Sequence, residues 1–491
     1  MLIMYNPTSN ALRKPVLPMS LLALGALLEG EHDYRIVDGN IEQDPLAALD
    51  RAIREDRADV LAVTVMPGPQ LANATPLCRR LKEMHPNLTI VWGGYFPTQH
   101  YEAVLRSTFV DFVVRGHGEV IFRQLLDALR DGGDPYSIPG LAYRRPSDGE
   151  IVSNQLAPIP HPNQMPDFPY HRVQMPRYIR PTFMGSRTLP HHSSYGCPFQ
   201  CNFCAVVNMV GGRWFAQSAA RTAGVARTLV EGWGVNAVEF YDNNFFTHQA
   251  RTIDFAERIR DLGIAWWGEG RIDTLMQYSD ASWRTMRDAG LKMVFLGAES
   301  GSDETLKRMN KGGAASTEKT LAIVRRMRDY GIVPELSFVL GNPPDPETDT
   351  RQTIEFIRKV KRINPASEII LYMYTPVPLA GELFDQAKAS GFAFPETLEG
   401  WTSQEWHEFS QRRSSHVPWL DDPLRRFVHD FERVLNAYYP TSTDPKLRGV
   451  RRGLLRSISA WRYHARYYAH PVELRAVHKV LAYQRPETAG F

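Results

Sequence analysis

The stretch "SSYGCPFQCNFCAV", residues 193–206, places Cys197, Cys201 and Cys204 within eight positions, and the chain holds only one other cysteine, Cys78. Three thiolates this close must converge on one small centre or repel one another. A structural zinc site normally takes four ligands, often as two separated pairs. Zinc stays open here if His191 or His192 supplies the fourth. Iron–sulfur clusters are commonly held by four cysteines. Three would leave one iron of a cubane cluster without a protein ligand, and an open position is what a catalytic metal keeps and a structural one closes. Four cysteines in 491 residues are too few for a disulfide framework, so a reducing cytoplasmic setting is expected. Cys78, in the helical stretch "PLCRRLKEM", reads as a small buried hydrophobe.

Outward from the loop, residues 186–392 alternate strand and helix patterns. The strand candidates are "LPHHSSYG", "AVEFYDNNF", "AWWGEGR", "MVFLGAES", "ELSFVLGNP" and "EIILYMYTP". Repeated βα units of this kind predict a full or partial (β/α) barrel with its chemistry at the C-terminal ends of the strands. Residues 1–145 alternate in the same way, which predicts an α/β domain with a doubly wound parallel sheet and ligands at the carboxyl ends of its strands. Between the two, residues 146–185 are Pro-rich and irregular, the pattern of a linker on the surface. Residues 393–491 lose the strands and read as a helical C-terminal cap.

The chain is longer than one core supports. Its 43% hydrophobic and 23% charged residues are ordinary for a soluble globular protein, and a net charge of +3 gives no reason to expect nucleic acid. No apolar run is long enough to span a bilayer, and "MLIMYNP" reads as a buried strand rather than a signal peptide.

"CPFQCNFC" resembles the signature of radical S-adenosylmethionine (radical SAM) enzymes, with Phe203 as the aromatic before the third cysteine. The resemblance implies a [4Fe–4S] cluster on Cys197, Cys201 and Cys204. Its fourth iron chelates S-adenosylmethionine, and an electron from an external flavodoxin- or ferredoxin-type reductant yields a 5′-deoxyadenosyl radical. "FYDNNF", "GEGRID", "GAESGSDETLKRMNKG" and "FVLGNPPDPETD" resemble, in order, the family's turns around that cosubstrate. By this likeness Asp242 and Asn243 lie near the methionine amino group, Arg271 belongs to the cosubstrate site, and Glu299 with Ser300 contacts the ribose or carboxylate. Gly341 lets the backbone approach the adenine. Each of these turns would equally serve as a helix cap.

The first domain resembles the cobalamin-binding domain of one radical SAM subfamily, most clearly in "WGGYFPTQHYEAVL" and "VVRGHGE". The resemblance implies cobalamin contacts from Thr64, Met66, Gly68, Gly93, Gly94, Gly116 and Gly118. It departs from the family of histidine-ligated cobalamin proteins after the first strand, where "YNPTSNALRKP" offers no histidine. His100 and His117 are further candidates, although a lone turn histidine is more often solvated.

With one cysteine to spare, neither a second cluster nor a cysteine thiyl radical is expected. Two reactions remain on the resemblance: methylation of an unactivated carbon of a small-molecule, lipid or tetrapyrrole-like substrate, which we favour, and oxidative cyclisation of the magnesium-protoporphyrin ester cyclase type. A zinc-stabilised binding protein is the remote alternative. Tyr372 and Tyr374 face either the core or the reaction chamber. The Arg- and aromatic-rich stretch 447–487 reads first as a barrel cap, then as a substrate contact, then as a peripheral membrane contact.

Overall fold

The computed structural model describes residues 1–9, 15–311, 315–379, 381–410, 417–441, 443, 447 and 449–480. The turn that departs from the histidine-ligated pattern falls partly outside them.

The first sheet comprises β1 (Leu2–Asn6), β2 (Tyr34–Asp38), β3 (Val60–Thr64), β4 (Thr89–Gly93), β5 (Phe112–Val114), β6 (Leu141–Arg144) and β7 (Ile151–Ser153), in the order β2-β1-β3-β4-β5-β6-β7. All five residues of β1 are buried, because helices cover both faces of the sheet. Leu21, Leu28, Ile121 and Leu125 from helices Met19–Leu28 and Gly118–Asp131 pack on one side. Leu49, Ile53, Leu71 and Leu81 from helices Pro45–Asp56 and Pro69–Met84 pack on the other, and Cys78 is buried among them. β1 to β5 are parallel, but β6 and β7 join antiparallel. The sheet therefore continues past residue 145 to Ser153 and is not wholly parallel.

The Pro-rich segment that follows does not simply lie on the surface. Tyr170, Met175, Tyr178 and Ile179 are buried in the core of the second unit. Prolines bring no N–H, which lowers the hydrogen-bonding cost of burying irregular chain. Tyr178 donates its hydroxyl to Asp38 at 2.9 Å, tying the segment to the first sheet.

"LPHHSSYG" forms two strands, β8 (Thr188–His191) and β9 (Ser194–Gly196). β9 pairs antiparallel with β10 (Trp214–Ala216), and the cysteine loop lies between them. β8 then continues a second sheet with β11 (Ala237–Phe240), β12 (Ala265–Gly270), β13 (Leu291–Glu299), β14 (Val333–Leu340) and β15 (Glu368–Met373). The order β15-β14-β13-β12-β11-β8 is parallel throughout, and its two edge strands do not pair, so the barrel is partial and open. Serine or aspartate caps begin the outer helices: Ser218, Ser279, Ser316 and Asp345 each accept a backbone N–H of the first turn.

The C-terminal helices do more than cap the barrel. Trp419 donates to the Gly341 carbonyl at 3.0 Å, covering the end of β14. Helix Asp422–Tyr438 then shares the barrel core through Leu424, Phe431 and Leu435. Helix Val450–Ala465 packs beside helix Pro346–Ile363, where Arg358 donates to the Tyr463 carbonyl and the Tyr468 hydroxyl, both at 2.7 Å. Helix Leu398–Trp401 reaches the first unit instead: Trp401 packs on Phe96, and Glu396 pairs with Arg106 at 3.5 Å. No described helix is long and apolar enough to cross a membrane.

Candidate active site

The β9–β10 hairpin presents the cysteine loop at the C-terminal end of the barrel. The loop is held from outside by the turn that follows helix Asp303–Arg308. The Asn202 N–H donates to the Met309 carbonyl at 3.1 Å, and Asn310 donates to the Gln200 carbonyl at 3.0 Å. Cys197, Cys201 and Cys204 form no disulfide, with Cys201 buried and the others half-buried.

Nitrogen donors surround the sulfurs. Arg271 Nη1 donates to Cys201 Sγ at 3.2 Å, and Asn244 Nδ2 donates to Cys197 Sγ at 3.9 Å. Arg271 follows β12, and Asp273 holds its guanidinium through bonds of 3.0 and 2.7 Å. The same guanidinium donates to the Lys311 carbonyl at 2.7 Å and lies 3.7 Å from the Phe199 ring centroid. Lys311 forms an ion pair with Glu299, both buried, and its ammonium is 5.9 Å from the Phe203 ring. Glu299 sits at φ +63° at a register shift where β13 ends, a region non-glycine residues rarely occupy. Its carboxylate folds back over Gly297, where a Cβ would come within 2.5 Å of Lys311 Nζ. Burial raises the Cys197 thiol above its ordinary range, a shift that Asn244 and Arg271 oppose.

This donor set fits a cluster. Three thiols on one loop, N–H donors to two sulfurs and two nearby cations are what a thiolate-bound iron–sulfur centre needs to hold its charge. The Asn244 Oδ1 is buried without a partner beside Cys197, an acceptor suited to an ammonium group such as that of S-adenosylmethionine. The zinc alternative has no closed ligand set here. His191 bonds Gln217 at 3.2 Å, and no three Cys, His, Asp or Glu side chains among the described residues converge on a single ion.

Facing the loop is the C-terminal edge of the first sheet. Thr64 ends β3 with Met66 and Gly68 beyond it, Gly93 ends β4 with Gly94 beyond it, and Gly116 and Gly118 follow β5, so all seven expected positions share one edge. Met66 is 49% exposed there. Gly94 requires glycine, since it has φ +99° and a Cβ would lie 3.1 Å from the Val65 N. The seam between this edge and the loop is polar. Tyr195 donates to Glu119 at 2.8 Å, His117 packs on the Tyr195 ring, and Asn208 donates to Gln99 at 2.9 Å. Glu119 Oε2 and Gln99 Nε2 have no partner, so buried polar atoms remain for a ligand with amide or hydroxyl groups, and the edge fits cobalamin. His100 is not at the seam. It is boxed by Phe96, Phe394 and Trp401, and burial pushes its imidazole down to about 4.

Comparison with known proteins settles the lineage. Residues 10–126 match the B12 binding domain family, and residues 192–357 match the radical SAM superfamily. The chain belongs to the cobalamin-binding-domain radical SAM enzymes. It is 27% identical to an uncharacterised methyltransferase of Pyrococcus horikoshii, over 73% of this chain and 78% of that one. It is 26% identical to the anaerobic magnesium-protoporphyrin IX monomethyl ester cyclase of Synechocystis sp., over 76% of this chain and 74% of that one. In fold it is similar to the radical SAM methyltransferase TsrM from Kitasatospora setae with cobalamin and a [4Fe–4S] cluster bound. There the TM-score is 0.64 and the identity 18%, covering 79% of this chain and 75% of that one. The cofactors implied by the sequence are those of the two matched domain families.

Within this radical SAM site the residues expected from the turn motifs divide. Arg271 reaches Cys201, and Glu299 and Phe203 both lie near Lys311. Asp242 does not face them: it is fully buried and accepts from the Ser193 N–H at 3.1 Å, the Ser193 hydroxyl at 2.8 Å and the Ser194 hydroxyl. Asn243 is exposed, and its neighbour Asn244 approaches the cluster loop instead. Ser300 donates to Asp349 at 3.2 Å, and Gly341 is covered by Leu420 and Met373. Tyr374 is buried beside Trp419, while Tyr372 is half-buried.

The sequence reading missed Asn244, Asp273 and Lys311, and it missed the barrel interior. Trp267 crosses that interior to donate to Glu335 at 2.9 Å, which places Trp267, and with it Glu269 two residues on, on the inner face of β12. Burial pushes the carboxyls of Glu269 and Glu335 up to about 8. The only signal in sequence was a charged residue at alternate positions of otherwise apolar strands.

Proposed function

We propose that this chain methylates an unactivated carbon of a small-molecule substrate, using cobalamin as methyl carrier and a radical from S-adenosylmethionine. The observation that carries the reading is the apposition of two edges. The C-terminal edge of a B12-binding sheet, with the unpartnered atoms Glu119 Oε2 and Gln99 Nε2, faces a three-cysteine loop whose Cys201 takes a hydrogen bond from Arg271. When bound, the cluster supplies the electron that splits S-adenosylmethionine and cobalamin supplies a methyl group. The protein's own groups hold charge and exclude water. Arg271 and Lys311 offset the thiolates, Asn244 offers an acceptor at Cys197, and the C-terminal strap at Trp419 and Trp401 joins the two units so that a reactive radical stays away from solvent. The external electron donor is of the flavodoxin or ferredoxin type.

Oxidative cyclisation is the second reading, favoured by the likeness to the cyclase of Synechocystis. Both readings are tested on anaerobically prepared protein supplied with cobalamin, first by iron, sulfide and cobalt per chain. The reduced holoprotein is then incubated with S-adenosylmethionine labelled in its methyl group. Label in the corrin fraction with stoichiometric S-adenosylhomocysteine supports methyl transfer. 5′-Deoxyadenosine without any S-adenosylhomocysteine turns the reading to cyclisation. Protein that holds no iron and sulfide overturns both.

A further inference from the structure

Helix Val450–Ala465 has two faces, and both are apolar in part. Leu455 and Tyr463 are buried against the rest of the chain. At about 100° per residue, Val450, Leu454 and Trp461 fall within about 40° of one another on the opposite side. They are 87%, 52% and 54% exposed. Tyr467 stacks on Trp461 at 6.0 Å and extends the stripe, and Val472 beyond it is 63% exposed. A long exposed apolar line on a helix already packed by its other face serves no internal core.

Its charge is one-sided. Residues 450–480 carry seven Arg and Lys against the single acid Glu473, and Glu473 is taken by Arg462. Arg451 and Lys479 are exposed on the same segment without a carboxylate at ion-pair distance among the described residues, while Arg456 lies over the Tyr438 ring on the protein side. An apolar line that includes Trp461, on a segment with an excess of arginine and lysine, matches the two requirements of binding at a bilayer surface: apolar burial at the headgroup boundary and attraction to anionic lipid. A protein partner would have to be strongly acidic and apolar at once.

We propose that this face docks on an anionic phospholipid surface, holding the enzyme peripherally and without a spanning segment. The inference is independent of the reaction. The test is co-sedimentation of the full chain with vesicles of phosphatidylcholine alone or mixed with phosphatidylglycerol, for wild type and for Leu454→Asp/Trp461→Asp. Both positions are exposed, and circular dichroism and thermal unfolding check that the double variant keeps its fold. Wild type should bind the anionic vesicles at least about tenfold more tightly than the neutral ones and release them at high salt. The double variant should lose about tenfold or more of that affinity, the scale of one buried aromatic side chain. A wild type indifferent to lipid charge, or a double variant that binds as well, overturns the proposal. So does a wild-type dimer in sedimentation velocity that binds no vesicles and that the double variant dissociates, which would assign the face to a second copy.

Discussion

Arg271→Ala is the perturbation that reads most directly on the site. The side chain is almost wholly buried and joins four groups: Cys201, Asp273, the Lys311 carbonyl and the Phe199 ring. Removing it strands the Asp273 carboxylate, itself 8% exposed, with the Thr274 N–H at 3.0 Å as the remaining donor among the described residues. Breaking a buried pair from one side costs about 3–5 kcal/mol, and the surviving donor places this case at the lower end. A second effect falls on the cluster. A full charge 3.2 Å from a thiolate is worth roughly 5 kcal/mol at an effective dielectric of about 20. Asp273 at 2.7 Å cancels much of that, leaving on the order of 1–2 kcal/mol. Losing it disfavours the reduced cluster and lowers its potential by on the order of 60 mV. The assays are a denaturant titration and a potentiometric titration followed by electron paramagnetic resonance. Arg271→Lys keeps the charge but not the planar fork, so it should retain most of the potential and lose part of the stability. An Arg271→Ala protein with wild-type potential and wild-type unfolding would refute the assignment of Arg271 to both roles.

Ser in place of Cys197, Cys201 or Cys204 should each reduce bound iron to below about a tenth of wild type. Cys78→Ser should keep the iron and cost roughly 1–2 kcal/mol, because that thiol is buried, with burial pushing it up to about 12, and a hydroxyl there is a buried polar group; iron analysis and denaturation separate the two outcomes. Glu335→Gln tests the barrel interior. Its carboxyl is raised from about 4.5 unfolded to about 8 folded, so the folded state holds a proton the unfolded state has released. Stability should therefore fall as pH rises through that window. The glutamine variant should lose less stability than wild type between pH 5 and pH 8 in urea titrations, and equal pH slopes would contradict the shift. Asn244→Ala should weaken S-adenosylmethionine binding by roughly tenfold, the scale of one hydrogen bond, whereas exposed Asn243→Ala should leave it unchanged. Equilibrium dialysis against the cosubstrate distinguishes the pair, and equal losses would return the role to Asn243.

The parts of the fold that were legible in sequence are those whose pattern has one physical meaning. "LIMYN" can only be a strand covered on both faces, and the cysteine spacing has few chemical uses. The short strand β7, half-buried along its length, gave no pattern strong enough to separate it from the linker. The linker's burial was hidden for a related reason, since prolines mark irregular backbone but say nothing about what its Tyr170 and Tyr178 side chains touch. Glu269 and Glu335 had the alternation of solvent-facing strand positions. An open barrel turns that face inward, and the same alternation then marks an inward-facing, half-buried carboxyl with a raised pKa. For the last hundred residues the helices were legible and their docking was not. Amphipathicity shows that a face is apolar, never which surface it meets.

Motif likeness was least reliable at single-residue resolution, and partner counts explain why. In "FYDNNF" three polar residues sit in consecutive positions after β11, so a one-residue change of phase moves the ligand-facing role from one to the next. The structure separates them by what each already bonds. Asp242 accepts from three groups of Ser193 and Ser194 and so has its capacity spent on holding the β8–β9 turn to the end of β11. Asn244 donates toward Cys197 and keeps an unpartnered oxygen. The same distinction sorts the other turns. Ser300 is spent on Asp349, and Gly341 is covered from the C-terminal strap. Glu299 instead holds a strained backbone and a buried ammonium directly beside the loop. A buried polar group that the fold has fully satisfied is scaffold, and one left partly unsatisfied next to reactive side chains is where a ligand completes the hydrogen-bonding. On that criterion we propose Asn244 as a cosubstrate contact, while Arg271 and the Glu299–Lys311 pair, whose polar atoms are already bonded, hold the loop.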